Sequence, residues 1–180
     1  EVVSLYSKQY LTPFGEYIPL RSIARLVSGF VDDVSDFSVG ERIDNHVIRG
    51  VTLAPVICFE LLSDSLVRRA AQNSDALVVQ TNSATFAGTS ESAQQLNITR
   101  IRAMENAREI VSVSTIGISA HIDVNGRVTQ QTDEDVRAVL QGEIQGVSNQ
   151  SVASRLGGLA TPLALLLSFF PLVLHRIRRP

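Results

Sequence analysis

The chain has 180 residues, 44% of them hydrophobic, and a formal net charge of −2, which is enough for one domain with a real core. Its arginines are scattered and outnumbered by acids, so no basic stripe is offered to a nucleic-acid backbone. A single cysteine excludes an intrachain disulfide framework, and three dispersed histidines beside it give no metal-ligand spacing.

The first residue is Glu1, not Met, and Val2-Val3-Ser4-Leu5 already reads as strand, which points to a piece of something longer. Leu5 to Pro19, rich in Pro, Gly and aromatics, reads as an ordered loop. A short helix over Leu20 to Val27 and a polar surface segment over Asp32 to Asp36 follow. His46 to Arg49 reads as a strand and Gly50 as a turn; Val51 to Ile57 is apolar enough for a strand buried on both faces. Leu61 to Gln72 carries Leu61, Leu62, Leu66 and Ala70 at helical spacing, and Ala76 to Thr81 is a buried strand. Glu91 to Glu109 reads as a long amphipathic helix with Leu96, Ile101, Met104 and Ala107 toward the core. Strands over Ile110 to Ser114, Gly117 to Asp123, Arg127 to Gln131 and Val136 to Ile144 form a meander, with Asn125-Gly126 as a hairpin turn. Strands and helices interleaved in this way argue for a layered α/β fold. Residues 1–147 form the domain, and the Gly-, Ser-, Asn- and Gln-containing stretch that follows, centred on residues 148–156, reads as a linker.

From Gly157 to Leu174 no residue is charged. As a helix this run spans about 27 Å at ~1.5 Å per residue, against a bilayer core of roughly 30 Å. Pro162 and Pro171 are tolerable in a membrane helix, where neighbouring helices satisfy the freed carbonyls. His175-Arg176-Ile177-Arg178-Arg179 follows at once, so residues 175–180 read as a basic cytoplasmic tail and the domain lies on the outer face. A buried core helix with a basic end is the competing reading.

Lys8 is the one lysine and Cys58 the one cysteine, and each sits in a short motif. Lys8 stands in Tyr6-Ser7-Lys8-Gln9-Tyr10-Leu11-Thr12-Pro13-Phe14-Gly15-Glu16-Tyr17-Ile18-Pro19. Cys58 falls at a strand-to-helix junction, where helix N-terminal amides lower a thiol's pKa and stabilise an oxyanion. Alternatively, Lys8 is the residue of a coding bias toward arginine and Cys58 a small buried hydrophobe.

Together the two motifs resemble the nitrilase superfamily, whose triad is Glu, Lys and Cys in chain order. Lys8 with Leu11-Thr12-Pro13-Phe14-Gly15-Glu16-Tyr17-Ile18-Pro19, and Ile57-Cys58-Phe59-Glu60, narrow the resemblance to the apolipoprotein N-acyltransferase family. Asn82-Ser83-Ala84-Thr85-Phe86 and Arg100 to Arg108 fit it too. The resemblance implies the C-terminal half of a nitrilase-like αββα sandwich followed by one transmembrane helix. It also implies a triad Glu upstream of the Lys motif and a preceding bundle of membrane helices, neither in this chain. Phe59 stands where the family usually has Tyr, and Thr85 where Trp is common.

The implied chemistry is acyl transfer in two steps. Cys58 attacks the ester carbonyl of a phospholipid and becomes an acyl thioester, while Lys8 and a backbone N–H near Phe59 face the developing oxyanion. The upstream Glu takes the thiol proton and later deprotonates the acceptor, the N-terminal amine of a diacylglyceryl-cysteine apolipoprotein. Glu60 and Glu16 are candidates to orient Lys8 or plain salt-bridge partners. Arg108 matters for activity by resemblance, or is a helix-terminal Arg near the negative dipole end. His46 and His121 lack a supporting Asn or Asp motif and are poor partners for Cys58. No metal, cofactor or nucleic acid is expected; the partners are the phospholipid, the apolipoprotein, the membrane and the other half of the domain. The implied location is the bacterial cytoplasmic membrane, multi-pass in the full-length protein, with the catalytic domain outside. The competing functions are a soluble nitrilase-type amidase and a non-catalytic, membrane-anchored fragment that is inactive without the Glu and exposes its inner sheet.

Overall fold

A computed structural model describes residues 4–147, 149–159 and 162–169. Val2-Val3, the end of the apolar run from residue 170 and the basic tail lie outside the described residues. Six strands form one mixed sheet in sequential order: β1 His46–Ile48, β2 Val51–Ile57, β3 Ala76–Thr81, β4 Glu109–Ser114, β5 Ala120–Ile122 and β6 Val128–Gln131. Arg49 and Gly50, with φ of 51° and 83°, make the two-residue turn that pairs β1 antiparallel with β2. β2, β3 and β4 run parallel. Parallel neighbours need crossovers, and α2 (Asp64–Gln72) and α3 (Glu91–Asn106) supply them. β4, β5 and β6 then continue as an antiparallel meander.

The core lies on one face of this sheet. Ala54, Val56, Leu77, Val79, Ile110, Ala120 and Ile122 pack against Val67, Ala70 and Ala71 of α2 and Ala103 of α3. Leu77 and Ile110 are fully buried, worth about 1.5–3 kcal/mol each in apolar burial. The other face is less covered, and Val113 there is 50% exposed. Of the apolar run in β2, only Ala54, Pro55 and Val56 are buried, so burial on both faces holds for its centre alone. Pro55 fits there for a local reason. Thr52 turns its backbone to the β3 side, where its carbonyl accepts from Asp75 N at 2.7 Å. Alternation then aims the nitrogen of Pro55 at the β1 side, and β1 pairs no further than Leu53.

Several expected elements are corrected. The long helix stops at Asn106, because Ala107 turns left-handed at φ 50° and caps it, which hands Arg108 and Glu109 to the β4 side. Its inward stripe is Ser92, Thr99, Arg102, Ala103 and Asn106, whereas Ile101 and Met104 are each 48% exposed. Polar residues can face inward there because they bond their own helix: Thr99 Oγ1 to Gln95 O at 2.8 Å, Asn106 Nδ2 to Arg102 O at 3.0 Å. Val136 to Ile144 forms no strand. Asp135, at φ 55°, turns the chain off the sheet edge, and Gln130 Nε2 then holds it by donating to Gln141 O at 2.8 Å. The helix read from Leu61 splits at Ser63 into a 3₁₀ turn, Cys58–Leu62, and α2. The helix over Leu20 to Val27 contracts to α1, Arg21–Ala24. Within the linker, α4 (Val152–Leu156) forms on a Ser151 cap that accepts from Ser154 N at 2.9 Å, and packs on α3. No single helix among the described residues is long and apolar enough to cross a membrane; the bent pair Val152–Leu159 and Pro162–Phe169 meets that length and composition only together.

Candidate active site

β2 ends on Ile57, and the next residue, Cys58, has φ 52°. A non-glycine residue held left-handed costs roughly 1–2 kcal/mol, and here the cost sets the residue at the carboxyl end of the parallel strands β2–β4, where α/β folds keep their crevices. Burial pushes the Cys58 thiol above its ordinary value of 9.0, and the carboxylates of Glu16 and Glu91 act the same way. The Lys8 ammonium and a hydrogen bond from the Phe59 N–H oppose them without winning. The thiol is therefore neutral at rest and needs a base at the moment of attack.

Glu60, completely buried, ties this turn to the Lys8 segment. Its Oε2 accepts from Ile57 N at 2.7 Å, its Oε1 from Gln9 N at 2.6 Å and Tyr10 N at 3.2 Å, and the Tyr6 hydroxyl donates to both oxygens at 2.9 Å. Burial first, and the Glu60 carboxylate with it, push the Tyr6 phenol far above its usual range, so it stays a donor. Ile57 lies beyond the β1 pairing, which ends at Leu53, and the Glu60 carboxylate links its N–H to the backbone of Gln9 and Tyr10.

The loop after Lys8 folds back on it. Gly15 N and Glu16 N both bond Thr12 O, at 3.3 and 2.9 Å, and Phe14 N bonds Tyr17 O at 2.8 Å with Phe14 at φ 63°. That tight turn returns Glu16 to Lys8: Nζ donates to Glu16 Oε2 at 2.6 Å and to Thr12 Oγ1 at 3.2 Å, while Thr12 N donates to the same carboxylate oxygen at 2.7 Å. Burial pushes Glu16 up, but Lys8 and Thr12 outweigh it and hold the carboxyl below its ordinary value. Behind Lys8, Gly40 N bonds Lys8 O at 2.7 Å, and a Cβ on Gly40 would lie 2.1 Å from Ser7 O. Only glycine fits.

Of the residues named from sequence, Cys58, Phe59, Glu60, Lys8 and Glu16 converge on this edge. The Phe59 ring stacks on Tyr10, 5.6 Å between centroids and 2° from parallel. Lys8 donates its bonds to Glu16 and Thr12, while Glu60 accepts from backbone amides and the Tyr6 hydroxyl and makes none with Lys8 among the described residues. Thr85, in the 3₁₀ turn Ala84–Phe86, is exposed beyond β3. Arg108 is elsewhere. It precedes β4 at the amino edge, roughly six strand steps or ~20 Å from the Cys58 end. There its buried guanidinium donates to Ala71 O, Ser74 O, Ala107 O and Asn149 O at 2.6–3.1 Å. His46 bonds Ser4 Oγ, and His121 lies 3.7 Å from Glu109. Sequence reading assigned no role to Tyr6, Thr12, Gly40 or Arg102. Arg102 Nε donates to Leu61 O at 2.7 Å while its other nitrogens pair with Asp64 at 2.5 Å and Glu105 at 2.6 Å, bracing the Cys58 turn from α3.

Beside the Lys8 loop lies an open apolar groove of about 510 Å³, walled by Phe14, Ile18, Ile23, Val27, Phe30 and Val31 among others. Its outer residues are bare: Val27 is 86% and Phe30 79% exposed. Arg21 fixes its back by donating to Val31 O at 2.6 Å and pairing with Asp36 at 2.6 Å.

The chain is 36% identical over 162 residues to the apolipoprotein N-acyltransferase of Azotobacter vinelandii, covering 88% of this chain and 31% of that protein. Against the same enzyme of Pasteurella multocida it is 30% identical over 188 residues, covering 100% and 36%. It thus spans about a third of the length of these curated relatives. Among solved structures, an amidase from Nesterenkonia sp. AN1 superposes with a TM-score of 0.55 at 16% identity over 75% of this chain and 49% of its own. The glutamine-dependent NAD+ synthetase of Acinetobacter baumannii gives 0.59 at 18% identity, covering 77% and 25%. These likenesses show a nitrilase-like α/β fold with a mixed sheet. The carbon-nitrogen hydrolase family profile matches residues 1–153, and the chain belongs to that family.

Proposed function

We propose that this chain carries the nucleophile of an N-acyltransferase that moves a fatty acyl group from a phospholipid to the N-terminal amine of a diacylglyceryl-cysteine lipoprotein. The observation that carries the reading is the continuity of the Lys8 loop with the apolar groove: the turn that brings Glu16 to Lys8 also contributes Phe14 and Ile18 to the groove wall. A lipid acyl chain has a use for that surface, and a small soluble amide has none. The names of the curated relatives support the same reading.

In the first step Cys58 Sγ bonds the ester carbonyl carbon as its proton passes to a base, by the family pattern a glutamate upstream of Lys8. The ester C–O bond breaks and the lysophospholipid leaves with that proton. Lys8, held by Glu16 and Thr12, and the Phe59 N–H stabilise the oxyanion. In the second step the amine nitrogen attacks the thioester, the C–S bond breaks and the thiolate is reprotonated. Arg108, at the far edge, serves the fold. The less covered sheet face takes the second sheet of an αββα sandwich, and residues 157–174 form the membrane segment of a cytoplasmic-membrane protein whose domain faces outward.

The test uses membranes carrying the full-length protein, phospholipid and a diacylated lipopeptide with a free amine. A mass gain of one acyl chain on that amine supports the reading. Release of ammonia from small amides, with no lipopeptide product, replaces it with an amidase.

A further inference from the structure

Glu91 opens α3 at the same sheet edge as Cys58. Its neighbour Ser92 is buried against the ends of β3 and β4: a Cβ on Gly117 would meet Ser92 Oγ and Ser114 Oγ at 2.8 Å and Ser83 Oγ at 3.1 Å. Two of these hydroxyls pair with each other. Ser114 Oγ donates to Ser83 Oγ at 3.1 Å and accepts from Gly117 N at 3.0 Å. Glu91 takes no part. Its Oε2 is buried with no hydrogen-bond partner among the described residues, a costly state for a carboxylate oxygen. Its charge is also felt at Cys58, where it opposes thiolate formation. A carboxylate oxygen with no partner among the described residues, whose charge opposes the first step, is suited to a use in the second.

We propose that Glu91 is an acceptor-binding residue, whose carboxylate receives the α-ammonium of the incoming amine beside the acylated Cys58. The assignment rests on the acyl-transfer reading above. An α-amine with an ordinary pKa of about 7.7–8.0 arrives largely as a cation with hydrogen-bond donors to spare, which is what Glu91 Oε2 lacks. Once Cys58 is a neutral thioester there is no thiolate for Glu91 to oppose, so the hindrance lapses when the amine binds. The ammonium then gives one proton to the base, its nitrogen attacks the thioester carbon, the C–S bond breaks, and the departing thiolate takes the second proton from nitrogen.

The experiment loads Cys58 of the full-length protein in membranes from a phospholipid with a labelled acyl chain, then chases with increasing diacylated lipopeptide. In Glu91→Gln the labelled thioester forms and then persists, with the half-saturating lipopeptide concentration raised about tenfold or more. Glu91→Asp, which keeps the charge, recovers most of the transfer. An unchanged lipopeptide dependence in Glu91→Gln overturns the assignment. So does an equal loss of loading and transfer, which marks a purely structural residue. If the wild type forms no thioester at all, the acyl-transfer reading itself falls and takes this assignment with it.

Discussion

Cys58 is left-handed, partly buried and a neutral thiol at rest, and each property has a measurable consequence. Iodoacetamide labelling of the Cys58 peptide in the full-length protein is slow at neutral pH and rises only above pH 9, its ordinary titration point. Lys8→Met removes the opposing ammonium and moves that rise to still higher pH; an unmoved profile contradicts the place given to Lys8. In turnover the same variant loses about 10²–10³-fold, as loss of one oxyanion donor does. Glu16 titrates in the opposite sense. Burial raises its carboxyl, but Lys8 and Thr12 outweigh burial and leave it below its ordinary 4.5. A folded value below the unfolded one means that the stabilisation is complete above pH 4.5 and is lost as pH falls through the lower folded value. Urea unfolding of wild type and Glu16→Gln therefore shows a constant gap above that pH and a shrinking gap below it. A gap that widens in acid reverses the sign and refutes the pairing.

Among the elements, the Lys8 loop is held by contacts of long sequence separation. Gly40→Ala drives a Cβ into Ser7 O, and that backbone has to move. The expected result is a thermal midpoint lowered by several degrees, at about 2–4 °C per kcal/mol for a domain of this size, with a larger loss of activity than of stability. Equal midpoints for wild type and variant would show that the loop is not clamped there. The same long-range character decides what could be read in advance. Lys8 and Cys58 were legible as the one lysine and the one cysteine, each in a contiguous motif, and Glu16 came with the Lys8 motif. β2, β3 and the Asn125-Gly126 turn were legible from apolar runs and turn chemistry. Gly40 and Tyr6 carry no local signal, since their roles depend on what packs against them. The face of α3 misled because its inward stripe is small and polar, while Ile101 and Met104 stay half exposed. Val136 to Ile144 alternates like a strand, yet one left-handed residue, Asp135, takes it off the sheet.

At the scale of the molecule, the candidate site lies where the parallel strands end, with an apolar groove on one side and a half-covered sheet face behind. The groove is separable from the thiol. Val27→Asp with Phe30→Asp alters two residues already in solvent, so the fold is kept, and phospholipid acylation of Cys58 falls at least about tenfold while iodoacetamide labelling does not. Parallel losses in both reactions would tie the groove to the fold instead. The most direct measurement of all feeds the full-length protein in membranes a phospholipid with an alkyne-tagged acyl chain. A hydroxylamine-labile tag on Cys58, absent in Cys58→Ser and discharged by a diacylated lipopeptide, is the expected result. Folded, membrane-bound protein that carries no such tag would contradict acyl transfer through Cys58.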